Sequence, residues 1–252
     1  MTTRWIVLAG VMALAAAANA SKPTYRAAWS FNFNTSPIIK VTGGGVSHMN
    51  AYSGKITATR GNPNGGTVDN TWLGAPGSSI GTFCAELSQD IHIPGTYTHD
   101  VEILNGTGTQ HTIGSANPVT FDLQRTLRLE KLWGNYSFST ATSAAAFQLA
   151  QWNILFDTDL SVSNNAGTFF GTFASGQSAI ETAANAMLNG LDSKTKLATV
   201  FLLSSTTAQD QIYGTTTPGG PPPGATPEPF TLSLGLASAG LFVRRRLRSG
   251  KV

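Results

Sequence analysis

A single cysteine, Cys84, occurs in 252 residues, and with no second one an intramolecular disulfide is excluded. Charge is scarce as well, with only 12% of residues being Asp, Glu, Lys or Arg. The motifs that announce an enzyme are missing. No Gly-x-Ser-x-Gly elbow, Walker loop, dinucleotide fingerprint or His-Glu-x-x-His occurs, and Cys84 lacks the flanks of papain-like and caspase-like nucleophiles. There are four histidines, His48, His92, His99 and His111. His92 and His99, beside Asp90 and Asp100 in "DIHIPGTYTHD", read as solvated strand and turn histidines rather than as a metal pair. No repeat period is visible. The chain therefore reads as a non-enzyme with no cofactor and no metal centre.

What is present begins at the ends. "MTTRWIVLAGVMALAAAANA" has a positive start at Arg4, an apolar run and the exit Ala18-Asn19-Ala20, the three regions of a secretory signal peptide over residues 1–20. Residues 214–226 are Pro, Gly and Thr-rich, a composition that builds no core and reads as a disordered, extended linker. Then come Pro227-Glu228-Pro229, an uncharged apolar run from Phe230 to Val243, and the basic cluster Arg244, Arg245, Arg246 and Arg248. The run is shorter than the about twenty residues of a full span, and snorkelling arginines extend its reach. Positive charge after the span holds that end in the cytoplasm.

The order of these three parts, residues 227–252, resembles the PEP-CTERM sorting signal of Gram-negative bacteria. The resemblance implies one short C-terminal transmembrane helix, recognition by an exosortase-type membrane enzyme, and processing near the Pro-Glu-Pro motif. It implies export through the inner membrane to the cell surface or extracellular matrix. The whole chain carries a net charge of +3, but that sign belongs to the targeting ends. Residues 21–226, without Arg4, Glu228 and the five basic residues of the tail, hold ten Lys plus Arg and twelve Asp plus Glu, a net of −2. No nucleic-acid footprint remains.

Residues 21–213 are long enough for one domain with a sizeable core. Approximate alternation at 27–33, 55–60, 81–91, 97–104 and 119–129 predicts half-buried strands. Runs such as Gly43-Gly44-Gly45 and Pro94-Gly95 punctuate them. Two helices are expected, one from about Ser143 to Phe156 and one from Ser178, with Ser178 and Glu181 as a capping box, to near Gly190. "KLATVFLLSS" and "DQIY" read as closing strands. The expected fold is mainly β with a helical insertion (α+β), a β-sandwich or barrel-like exported domain.

Cys84 on such a strand is open to four readings: a small core hydrophobe, a thiol that pairs with another chain, a nucleophile, or another covalent cross-link. Three stretches bear on the choice: Phe83-Cys84-Ala85-Glu86, Gln148-Leu149-Ala150-Gln151-Trp152, and Ala208-Gln209-Asp210-Gln211-Ile212. In this order they resemble the thioester domain, or TQxA domain, of bacterial surface adhesins. That family pairs an aromatic residue or Leu before the cysteine with a Thr-Gln-apolar-Ala-apolar-Trp helix and a late apolar-Gln-polar-apolar-apolar strand. Here Phe147 stands for the Thr, Gln151 for an apolar residue, and Gln211 in an apolar slot of the late motif.

The resemblance implies a thioester between Cys84 and Gln209, with Gln211 and then Gln148 as alternative acyl donors. Phe83, Trp152 and Ile212 are expected to screen the bond, and Gln148 to brace it. A thiolate is the strongest side-chain nucleophile, and a glutamine amide supplies an uncharged acyl group. The function expected is a surface or biofilm-matrix protein, adhesive or structural, acting on an unidentified surface, matrix or polysaccharide ligand. A secreted hydrolase, or a plain carbohydrate- or protein-binding β domain, is the alternative.

Overall fold

In the computed structural model, which describes residues 25–33, 36–61, 75–104, 109–113 and 117–215, the chain alternates where expected. On β1 (Tyr25–Phe33), Trp29 and Phe31 are buried while Ser30 and Asn32 are exposed. On β4 (Ile56–Arg60) Ile56, Ala58 and Arg60 are buried. One strand face thus seeks a core. Six strands close on one another in the order β1-β4-β5-β11-β10-β6, with β5 at Ser79–Cys84, β6 at Gly95–Ile103, β10 at Thr199–Ser204 and β11 at Gln211–Thr215. Every neighbouring pair is antiparallel. The protein is mainly β, and its centre is a closed barrel with no free edge among those six strands.

Paired residues share a face, so the register sorts inside from outside. Ile56 pairs with Thr82, Cys84 with Gln211, Gln211 with Leu203, and Leu203 with Val101; these line the interior. Phe83 and Ile212, also paired, face outward. The outward face of β5, β11 and β10 is nevertheless dry, because the helix Leu123–Asn135 lies on β10 and β11 and Phe147 of the helix Ala141–Phe156 packs on Phe83. Phe83 packs there against Trp133, Phe138 and Phe147 at centroid distances of 5.6, 5.1 and 4.7 Å. That explains the unbroken run Val200 to Leu203, buried on both faces.

The helices are α1 (Leu123–Asn135), α2 (Ala141–Phe156) and α3 (Ser178–Asn189). The first corrects the strand expected at 119–129. A strand, β8 (Asn117–Phe121), ends at Asp122, whose carboxylate accepts the Arg125 N–H at 2.7 Å and caps a helix. Helix α2 is capped by a reciprocal Thr140–Ser143 box and is buried without interruption from Ala144 to Leu155. It is a core helix, wider in its apolar contact than a single stripe. The box expected at Ser178 is absent: Gln177 is the cap, and its side chain bonds the Ala174 N–H and the Ile38 carbonyl instead.

Two smaller sheets complete the fold, β3-β2-β9 and β7-β8, with β2 at Ile38–Gly43, β3 at Val46–Tyr52, β7 at Thr109–Ile113 and β9 at Phe170–Thr172. The β2–β3 turn uses Gly43 at φ 122°, where a Cβ would also lie 2.7 Å from the Thr168 carbonyl. Strand 81–91 stops early, at Cys84. No helix among the described residues is long and apolar enough to cross a membrane. Gly214 and Thr215, expected to open the linker, are the last residues of β11; the expected signal peptide, the rest of the expected linker, and the expected sorting signal with Pro227, Glu228, Pro229, Arg244, Arg245 and Arg246 lie outside the described residues.

Candidate functional site

The site forms at the barrel mouth where β4 runs out. Pairing of β4 with β5 ends at Ile56 and Thr82, so the N–H and C=O of Cys84 on that side extend past the end of their neighbour strand. On the other side Ala85 N–H donates to the Asp210 carbonyl at 2.8 Å, which makes Cys84 and Gln211 a non-hydrogen-bonded pair with closely set side chains. The Gln148 carboxamide, from α2, takes the place of the missing peptide group. Its Oε1 accepts the Cys84 N–H at 3.0 Å and its Nε2 donates to the Cys84 carbonyl at 2.9 Å. Gln151 Nε2 donates to the same carbonyl at 3.0 Å, and its Oε1 accepts the Trp133 indole N–H at 3.2 Å.

Held this way, Cys84 Sγ contacts Gln209 Oε1 at 2.8 Å. Gln209 Nε2 donates to the Glu86 carbonyl at 3.0 Å, which fixes which end of the carboxamide faces the sulfur. Gln211 Nε2 lies 3.8 Å from Sγ and 3.4 Å from both Gln209 Oε1 and the Gln209 carbonyl oxygen, while its own Oε1 accepts from the Thr82 hydroxyl at 3.3 Å. Of the three candidate acyl donors, Gln209 therefore presents its carboxamide to the sulfur. Gln148 spends both amide ends on the Cys84 backbone, and Gln211 turns its nitrogen toward the pair.

Burial governs the electrostatics. It pushes the Cys84 thiol up to about 12, against a lowering by Gln211, so the sulfur keeps its proton at neutral pH. Burial likewise raises Glu86 to about 7, opposed by the Asp210 N–H that its Oε1 accepts at 2.8 Å. Glu86 Oε2 is buried with no hydrogen-bond partner. His99 is fully buried and its pKa is lowered by that burial. Its Nε2 lies 3.2 Å from the Gln209 carbonyl oxygen, and its Nδ1 is unpartnered. The expectation of solvated strand and turn histidines holds for exposed His92 and fails for His99, because Tyr97, His99 and Val101 alternate onto the interior face of β6.

Cys84 and Gln209 open onto a cavity of about 560 Å³. Its walls include Phe33, Ile56, Leu87, Ile93 and Trp152, with Asp90 the single charged lining residue among the described ones. Trp152 thus stands beside the pair as expected, its indole N–H buried without a partner. Phe83 and Ile212 sit on the far face of their strands; they anchor the site to the helices from behind and leave the screening of the sulfur to the cavity wall. Glu86, His99, Gln151 and Thr82 join the site without having been singled out for it from sequence. Among the described residues no group of three His, Cys, Asp or Glu converges on a possible metal position. Compared with protein-family models, curated proteins and solved structures, the chain matches none.

Proposed function

We propose that this protein is an exported surface or matrix domain that carries an internal Cys84–Gln209 thioester and uses it once, to bind a partner covalently. The observation that carries the reading is the 2.8 Å contact between Cys84 Sγ and Gln209 Oε1, at the floor of a largely apolar cavity. Sulfur attacks Gln209 Cδ, the C–N bond breaks, and the thiol proton leaves with the amide nitrogen as ammonia. The product is an acyl electrophile that water would hydrolyse if it reached it freely; apolar walls slow that loss. A primary amine entering the cavity then displaces the sulfur, forming an amide at Gln209 and returning the proton to Cys84.

An ammonium group on an alkyl stem, as on a lysine side chain, suits apolar walls with Asp90 at the rim. The sequence at both ends supports the setting, a signal peptide followed by a PEP-CTERM-like tail that an exosortase-type enzyme would process. A hydrolase reading has less support, since the histidine nearest the pair bonds the Gln209 backbone and not the sulfur.

Incubating the folded protein with methylamine and mapping peptides tests the proposal. It expects methylamide at Gln209 together with a newly free Cys84 thiol, and neither in Cys84→Ala. A protein that takes up no amine and whose thiol titrates fully on unfolding would be a plain binding domain.

A further inference from the structure

We infer that the Gln211 carboxamide donates a hydrogen bond to the acyl oxygen of Gln209 and stabilises the negative charge that develops there when the thioester forms and when it is opened. The inference rests on the thioester reading and adds a residue to it. Both steps pass through a tetrahedral carbon whose oxygen, Gln209 Oε1, bears the charge, so a fixed N–H aimed at that atom lowers both barriers.

Gln211 is placed for the task by three features. Its Nε2 reaches Gln209 Oε1 at 3.4 Å and Cys84 Sγ at 3.8 Å, so one amino group faces both reacting atoms. Its orientation is determined by its surroundings: Nε2 meets acceptors, the Gln209 carbonyl among them at 3.4 Å, while Oε1 faces the Thr82 hydroxyl, whose proton it shares with the Ile56 carbonyl. A flipped amide would set oxygen against oxygen. The side chain is also fully buried, in a position where an apolar residue would pack without needing partners. A resting distance longer than an ideal hydrogen bond is expected of a donor whose acceptor gains its charge only during reaction.

Gln148 does not share this role, since both its amide ends hold the Cys84 backbone. Among the described residues no other side-chain N–H reaches Gln209 Oε1, and His99 bonds the Gln209 main chain. The donor is thus a single carboxamide, held by a single threonine.

Three variants and two readouts test this. Gln211→Met keeps the volume and removes the donor; Thr82→Val keeps the donor and releases its orientation. The time courses of ammonia loss and of methylamine opening are followed by mass, and the thioester C=O stretch by infrared with a carbon-13 label in glutamine. Gln211→Met is expected to slow both reactions about 10²–10³-fold, the cost of one oxyanion donor, and to shift the stretch to higher frequency. Thr82→Val is expected to lose less, about tenfold, in the same direction.

Gln211→Glu separates chemistry from packing, because its carboxyl donates when protonated. Its rate relative to wild type should recover as pH falls, even if Gln211→Met folds poorly. Rates within about threefold of wild type in folded Gln211→Met, with an unmoved stretch, would overturn the inference while leaving the thioester intact. A Gln211→Glu ratio that stays flat and far below wild type, down to the lowest pH at which the fold survives, would overturn it equally. Wild-type protein that never loses ammonia would remove the thioester reading itself, and this inference with it.

Discussion

Replacing Gln148 by Met removes the clamp on Cys84 while nearly conserving volume. In the native protein the Cys84 N–H is satisfied by Gln148 Oε1 alone among side chains, since β4 has ended and β11 lies on the other side. The Cys84 carbonyl keeps a second donor, Gln151 Nε2 at 3.0 Å. The variant therefore strands one buried N–H and weakens one carbonyl, a cost of about 1–3 kcal/mol, with about 2 kcal/mol expected. Gln148→Ala adds a cavity and should cost about 1–2 kcal/mol more. Denaturant unfolding reads the stability, and intact mass reads the fraction of chains that have lost ammonia. Both should fall together, because the clamp also sets where Sγ sits. A Gln148→Met protein within about 0.5 kcal/mol of wild type, with an undiminished yield of the bond, would refute the idea that this carboxamide substitutes for a strand.

The remaining expectations concern Glu86, Asp90 and the tail. Glu86 is raised from 4.5 to about 7, so the folded protein holds a proton that the unfolded chain releases, and its stability falls as pH rises across that window. Glu86→Gln should match wild type near the lower limit and exceed it by up to about 3 kcal/mol above the upper one; equal unfolding midpoints at both ends would count against a buried carboxyl. Asp90, exposed at the cavity rim, should favour cationic nucleophiles, so Asp90→Asn slows an acetyl-lysine amide about two- to fivefold and leaves neutral hydroxylamine unchanged. Equal slowing of both would assign Asp90 to structure instead. Replacing Pro227, Glu228 and Pro229 by alanine should leave full-length chain in the membrane fraction, its arginine tail uncut, and normal processing would contradict exosortase-type sorting.

Much of this was legible because local chemistry and tertiary environment agree. The strands of the barrel wall alternate by twos, and β10 announces by its unbroken apolar run that both its faces are covered. Cys84 and Gln209 were paired through the resemblance of their flanking stretches to the thioester domain, not through any feature of composition or spacing. The failures have local causes. Around 119–129, Val119 and Phe121 alternate and then Leu129, Leu132 and Trp133 recur at helical spacing; Asp122, the capping residue between them, was the overlooked signal. His99 was placed on a strand, at 97–104, but was assigned to its solvated face, although Tyr97, His99 and Val101 share the interior face. Glu86 stood in the quoted stretch around Cys84, but nothing there signalled that it would be buried. It is buried because the chain turns inward after Cys84 and lays its carboxylate on the Asp210 N–H, a contact between segments far apart in sequence.

The measurement closest to the centre of the account is the intact mass of natively purified protein, taken beside a thiol titration after unfolding in acid. A Cys84–Gln209 thioester predicts a mass one ammonia below that calculated for the processed chain, no reactive thiol, and the full calculated mass in Cys84→Ala. A chain at its full sequence mass, with Cys84 titrating completely, would contradict it.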